Sequence, residues 1–138
     1  MNLDSCIFHG KIESALLPQI YSDADLGLSL CLFDACPNSV AEMIGCGLPV
    51  LTNKESGASE LIKEESLIIS ENLIFDYLPL YDDKWLPKIN LEKWAEKIEF
   101  ILDNKILLKE KMLKRVDEEL DIRIVAKKYA EFIYSNEK

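Results

Sequence analysis

The first half of the chain alternates between short apolar blocks and stretches with helical spacing. The blocks of strand length, at residues 5–8, 26–32, 49–52 and 67–70, show little alternation between apolar and polar positions. The stretches with helical spacing lie between them, at residues 16–22, 38–46 and 59–63. Strands buried on both faces of a parallel sheet lack alternation, and helices connect parallel strands. The pattern therefore predicts an α/β fold.

The second half has a different pattern. Residues 71–90 mix aromatic residues, prolines and acids without a period, which predicts a long loop. Apolar stripes at helical spacing then predict helices at about 91–102, 106–119 and 122–134. We expect residues 1–138 to form a single domain. Its core would be a Rossmann-like parallel sheet of about four or more strands with helices on both faces, and residues 91–138 would form a C-terminal helical segment.

Length and composition fit one soluble domain. The chain has 138 residues, which is enough for one core, and 49% of them are apolar. It has no run of 18 apolar residues and no signal-peptide pattern at its start, so we expect a cytoplasmic protein. Four cysteines without a C-x-x-C pair, and a single histidine, predict buried reduced thiols and no metal site.

The net charge of −9 excludes one class of partner and constrains another. A nucleic-acid binder needs a basic face, and the sequence offers none before the mixed-charge helices near its end. A bound diphosphate would need local donors, such as a helix N-terminus or a second domain, because it would work against the overall charge.

The segment DACPNSVAEMIGCGLPV, residues 34–50, is the most informative part of the chain. Pro37 suits the start of a helix and Gly47 suits the residue after its end. Between them, Asn38, Glu42 and Gly45 fall at i, i+4 and i+7, on one stripe apart from the apolar face. Glycine within a helix costs about 1 kcal/mol relative to alanine, so Gly45 indicates either a close backbone approach or a tolerated weakness.

This segment resembles the donor-binding signature of retaining glycosyltransferases of the GT-B fold, family four. That family carries two acidic residues eight apart, then a turn of small residues and a Pro-Val strand. Here these are Asp34 and Glu42, followed by GCGLPV. Residues 7–10, 17–25, 57–62 and 121–134 are similar to flanking parts of the family pattern, so the resemblance extends from about residue 5 to about 134.

The resemblance implies a role for each matching residue. Glu42 would accept hydrogen bonds from the ribose hydroxyls of the donor; the alternative is a solvated helix glutamate. Asp34, where the family usually has glutamate, would be the catalytic-site acid that meets hydroxyls of the transferred sugar; the alternative is a brace for its own loop. The backbone N–H groups of the next segment, from Asn38, Ser39 or Val40, would face the donor. Gly57 would contact it from the following loop.

The implied activity is transfer of a sugar from a nucleotide-sugar to a hydroxyl acceptor in glycan biosynthesis, with no metal and no other cofactor. The family's upstream basic pair and its N-terminal acceptor-binding domain have no counterpart here. We therefore expect a truncated C-terminal domain of the GT-B fold that is inactive alone. Any peripheral membrane association would arise through the missing half, and a homodimer would form through the last helix or the first strand.

Two alternatives remain open at this point. One is a non-catalytic nucleotide-binding or docking module, which the net charge and the missing basic pair favour. The other is half of a GT-B-type nucleotide-sugar epimerase, which has the same architecture. The acid pair, the Pro-Val strand and the closing helix favour descent from a transferase.

Overall fold

A computed structural model describes residues 5–31, 34–70 and 90–135 of the chain. The predicted loop at 71–90 lies outside these ranges except for Asn90, and stays a prediction. The bounds and contacts below refer to the described residues.

The fold is α/β, built on a parallel sheet. Its strands are β1 (Gly27–Ser29), β2 (Val50–Asn53) and β3 (Ile68–Ile69), in the order β1-β2-β3. Ser29 is opposite Thr52, and Thr52 is in turn opposite Ile68. All four residues of the central strand β2 are buried, which agrees with the lack of alternation in its sequence.

Helices occupy most of the remaining described chain. They are α1 (Leu17–Asp23), α2 (Asn38–Gly45), α3 (Gly57–Ile62), α4 (Leu91–Asp103), α5 (Lys105–Arg115) and α6 (Ile122–Ser135). Short 3₁₀ turns at Ser14–Leu16 and Glu65–Leu67 precede α1 and β3. The six helices fall where the sequence predicts them. One of them is shorter than predicted. The helix predicted at 106–119 ends at Arg115 as α5, and a π-helical turn, Val116–Leu120, follows it.

One of the predicted strands is absent from the described residues. The structure has three strands in the described ranges, and the strand predicted at 5–8 is not among them. Residues 6–10 there have no regular structure, and the side chains of Ile7 and Phe8 are 79% and 86% exposed. A strand is stable only when its backbone pairs with a neighbour and its side chains are covered, and this segment has neither.

The signature helix α2 packs through its apolar face. Val40 and Ile44 are fully buried in the core beside Val50 and Leu51. The chain leaves the helix through Gly47, whose φ of +76° lies in the left-handed region that glycine adopts without strain. Pro37 lies one position before the helix, as its N-cap.

Helix α5 is hydrogen-bonded to the C-terminal end of α3. The guanidinium of Arg115 donates hydrogen bonds to the backbone carbonyls of Glu60 and Leu61, at the C-terminal end of α3. It also pairs with Glu119 at 3.0 Å. A cation that satisfies the last carbonyls of a helix stabilises that end, because those groups have no partner within the helix. The position of α3 is therefore fixed by α5.

Helix α6 begins at an ionic cap. The carboxylate of Asp121 accepts the backbone N–H of Arg123 at 2.8 Å and pairs with its guanidinium at 2.7 Å. These contacts, the side-chain hydrogen bond from Arg123 above all, lower the pKa of Asp121 from 3.8 to about 2. Because the pKa is lower in the folded state, the cap contributes fully above pH 3.8, and its contribution is lost as the pH falls towards 2.

We expect Arg123→Gln to move the pKa of Asp121 back towards 3.8, because the largest cause of the shift is removed. A carboxyl-carbon NMR titration measures this directly, with Lys128→Gln on the same helix as the control. An Asp121 pKa near 2 in the Arg123 variant would contradict the assignment.

Candidate functional site

The buried polar side chains of the described residues lie together at the carboxyl ends of β1 and β2. They are Ser29, Thr52, Asn53 and Ser56. The hydroxyl of Thr52 donates to the carbonyl of Ser29 at 3.1 Å, which joins the two strand ends. Buried polar groups are costly unless they are hydrogen-bonded, so this cluster fixes the edge of the sheet where the loops begin.

The same cluster sets the start of α3. The side-chain oxygen of Asn53 accepts the backbone N–H of Ser56 at 2.9 Å. The Ser56 hydroxyl then accepts the N–H of Ala58 at 3.2 Å, so that Ser56 is the N-cap of the helix.

Gly57 joins α3 to the loop that follows β1. Its N–H donates to the backbone carbonyl of Asp34 at 3.0 Å. A Cβ added at Gly57 would lie 2.0 Å from the carbonyl oxygen of Ala35 and 2.7 Å from that of Asp34. Only glycine permits this approach. Because the N–H of Gly57 is already bonded to Asp34, the contribution of Gly57 to the site is to hold this loop.

Asp34 is exposed and turns back on its own loop. Its Oδ1 accepts the N–H of Cys36 at 3.1 Å, which is the bracing contact that the sequence offered as the alternative role. The structure gives Oδ2 no hydrogen-bond partner among the described residues. One carboxylate oxygen is therefore committed to the loop and the other is available.

The first turn of α2 supplies backbone donors beside this loop. The N–H of Val40 is bonded to the carbonyl of Pro37 at 3.0 Å, and Val40 is buried, so this N–H already has an acceptor within the chain. Asn38 and Ser39 are exposed, and as the first two helical residues their N–H groups have no acceptor within the helix.

Glu42 lies one turn further along α2, about 6 Å from Asn38 along the helix axis. It is exposed, and the hydroxyl of Tyr21 in α1 donates to its Oε2 at 3.4 Å. Burial raises the pKa of Tyr21 above 10.0, and the negative charge of Glu42 raises it further. No local sequence pattern assigns a role to Tyr21, because its contact joins positions 21 residues apart.

A separate hollow lies at the opposite edge of the sheet. It is a cleft of about 170 Å³, whose lining includes residues that precede β1 and β2, Asp25 and Pro49, together with Lys105 and Lys109. Glu42 is not among its lining residues. The predicted site residues Asp34, Asn38, Ser39 and Glu42 instead lie on exposed surface, around the loop after β1 and the first turns of α2.

The cysteines differ from the prediction of burial. In the structure all four are free thiols; Cys6, Cys31 and Cys36 are exposed and Cys46 is half-buried. All four lie in segments outside helices and strands, and no layer covers the three exposed ones. Within residues 5–31, 34–70 and 90–135, no three His, Cys, Asp or Glu side chains are grouped to hold a metal ion. The helices in these ranges include none with the length and apolarity needed to cross a bilayer.

The comparison with known families identifies the origin of this geometry. The sequence model of the family "Glycosyl transferases group 1" matches residues 2–104, which is 103 of the 138 residues. The chain belongs to the group 1 glycosyltransferases. The match spans the acid pair, α2, the Pro-Val strand and α3, and agrees with the resemblance to the C-terminal half of such a transferase. Searches of the curated proteins and of the solved structures each gave no significant match.

Proposed function

We propose that this group 1 glycosyltransferase chain is the donor-binding part of a retaining, family-four enzyme of the GT-B fold. The observation that carries the proposal is the placement of its two signature acids. Asp34 lies in the loop between β1 and α2, at the sheet edge braced by Gly57, and Glu42 is exposed on α2, one turn past the start of that helix. In open parallel sheets, ligands bind at the carboxyl ends of the strands.

Each group has a definite part in the proposed complex. The carboxylate of Glu42 accepts hydrogen bonds from the two adjacent ribose hydroxyls, and a charged acceptor makes these bonds stronger. The free N–H groups of Asn38 and Ser39 face the phosphates. The second oxygen of Asp34 accepts a hydroxyl of the sugar that is transferred. This is a proposal for metal-independent recognition, with donors from the chain and the helix dipole.

The reaction breaks the bond between the anomeric carbon and the diphosphate, and negative charge grows on the leaving phosphate. Stabilising that charge needs positive groups close to it. Residues 12–53 contain no lysine or arginine. We therefore propose that this chain binds the donor without turnover. An acceptor-binding part of a cytoplasmic enzyme of glycan biosynthesis would then supply the cations and the acceptor hydroxyl.

Calorimetric titration of the chain with UDP, GDP and ADP tests the proposal. We expect one of them to bind with a dissociation constant in the high micromolar to millimolar range, and the free nucleoside to bind more weakly. Absence of binding by all three at millimolar concentration would contradict donor binding by this chain.

A second candidate is a nucleotide-binding module without catalysis, which the lack of basic residues at 12–53 favours. The two candidates differ in whether the sugar of a nucleotide-sugar contributes to its affinity. A transferase predicts that the sugar of a nucleotide-sugar adds affinity through Asp34, so Asp34→Asn weakens a nucleotide-sugar more than its nucleoside diphosphate. A module that recognises only the nucleotide predicts equal effects on both ligands.

Helix α6 offers a surface for association, as the sequence predicted for a homodimer. None of its residues is buried, and Phe132 is 69% exposed. The other large exposed apolar residues of this helix are Ile122, Tyr129, Ile133 and Tyr134. Exposed apolar surface, where it is extensive, marks interaction sites in many proteins. We propose that two copies of the chain associate through α6.

Light scattering at micromolar concentration tests this association. We expect the mass of a dimer for the wild type and a shift towards the monomer for Phe132→Glu, because the new charge would be buried at the interface. Lys128→Glu is the control on the polar side of the same helix. A wild-type chain that remains monomeric at these concentrations would refute the dimer.

A further inference from the structure

Among the described residues, one side chain donates a hydrogen bond to the carboxylate of Glu42, and it belongs to Tyr21. Tyr21 projects from α1 and its hydroxyl donates to Oε2 of Glu42 at 3.4 Å, across 21 residues of sequence. The ring of Tyr21 is half-buried and lines the cleft at the amino ends of the strands, whereas Glu42 is exposed on α2. A ring held in this way has less freedom than the flexible carboxylate that it meets.

An exposed glutamate has several rotamers of similar energy, and ordering a long side chain on ligand binding costs free energy. A ribose offers two adjacent hydroxyls at fixed separation, so the carboxylate must be held in one orientation to accept both. An ionised carboxylate has about four acceptor positions on its two oxygens. A single hydrogen bond from Tyr21 to Oε2 leaves Oε1 and one position on Oε2 free.

We propose that Tyr21 is a positioning residue, whose hydroxyl holds the carboxylate of Glu42 in the orientation that accepts the two ribose hydroxyls. The inference rests on the proposed function, because it assigns a support to the same site. It adds α1 to the elements that build the donor site. The Tyr21 hydroxyl can donate at neutral pH, because a tyrosine is protonated there and burial raises the pKa of Tyr21 further.

Tyr21→Phe is the variant that tests the proposal, because it removes the hydroxyl and keeps the ring that lines the cleft. We expect about a three- to tenfold loss of affinity for a ribonucleotide, the net effect of one hydrogen bond. The effect should require the ribose hydroxyls. The loss should therefore disappear for a 2′,3′-dideoxynucleotide, which has no hydroxyl for Glu42 to accept.

The experiment is calorimetry on four proteins with two probes. The proteins are the wild type, Tyr21→Phe, Glu42→Gln and, as a matched loss of a tyrosine hydroxyl elsewhere, Tyr134→Phe on α6. The probes are the nucleoside diphosphate that binds most tightly among UDP, GDP and ADP, and its 2′,3′-dideoxy counterpart. We expect Tyr21→Phe to lower the ratio of the two affinities, Tyr134→Phe to leave it unchanged, and urea unfolding of both variants to resemble the wild type.

Each contrary outcome has a distinct meaning. Equal losses for both probes would show that Tyr21 acts only on the fold, and unchanged or tighter binding would show that it does not orient Glu42. In either case, a lower nucleotide affinity of Glu42→Gln would still support the donor site, while the role proposed for Tyr21 would be wrong. If the wild type binds neither probe, the proposed function fails and the positioning role fails with it.

Discussion

Replacement of Gly57 with alanine is expected to destabilise the fold by about 2–3 kcal/mol, the upper range for overpacking a filled site. The added Cβ would lie 2.0 Å from the carbonyl oxygen of Ala35, and this neighbour is backbone that cannot rotate away. The loop after β1 would have to separate from α3, and the hydrogen bond from Gly57 to Asp34 would lengthen. Urea unfolding followed by circular dichroism measures the change.

Gly45→Ala is the matched control, since it makes the same chemical change in α2. A Cβ at Gly45 would have no atom within 4 Å, which indicates a tolerated weakness in the helix and no close backbone approach. We expect this variant to be more stable than the wild type by about 0.5–1 kcal/mol, because alanine favours the helix. If both variants unfold at the same urea concentration, the contact between Gly57 and the Asp34 loop does not hold the site.

Replacement of Glu42 with alanine is expected to weaken nucleotide binding ten- to a hundredfold. Loss of a charged hydrogen-bond acceptor costs about 1.5–3 kcal/mol, which corresponds to this range of dissociation constants. Glu42 is exposed, and within the described part of the chain its carboxylate has one hydrogen bond, the long one from Tyr21, so the fold should be retained. The effect should therefore appear in calorimetry and not in thermal unfolding.

Glu96→Ala on α4 controls for the change in net charge. Glu96 is also an exposed helical glutamate, and removing it changes the charge of the chain by the same amount. We expect its affinity for nucleotides to match that of the wild type. A similar gain or loss of affinity in both variants would mean that Glu42 acts through overall charge and that it does not contact the ribose.

The parts of the fold that the sequence predicts are those set by local chemistry. Helix α2 starts one residue after Pro37 and ends two residues before Gly47, because proline and glycine act on the backbone at their own positions. The burial of Val50 and Leu51 in β2 follows from their apolar side chains. These features need no knowledge of which elements meet in space.

The parts that the sequence does not predict depend on contacts between distant segments. Residues 5–8 have the composition of a strand, but a strand forms only beside a partner, and the composition does not say whether one is present. The end of α5 at Arg115 also depends on a distant segment. A π-helical turn follows Arg115, and the side chains of Arg115 and Glu119 form contacts with the end of α3.

The candidate site divides in the same way. The resemblance selected Asp34, Glu42 and Gly57 by spacing, and the structure adds how they are held. The brace of Gly57 against Asp34 joins residues 23 positions apart, and the contact from Tyr21 to Glu42 joins residues 21 apart. A motif within one segment does not predict contacts between residues this far apart.

The central claim is that a donor nucleotide binds at the carboxyl edge of the sheet, around the first turns of α2. A two-dimensional ¹H–¹⁵N NMR titration of the labelled chain with the tightest of UDP, GDP and ADP tests it most directly. We predict saturating shifts of the backbone signals of Asn38, Ser39 and Glu42. Saturating shifts confined to Gly47 and Lys109, at the cleft on the opposite edge, or no shifts at millimolar nucleotide, would contradict the account.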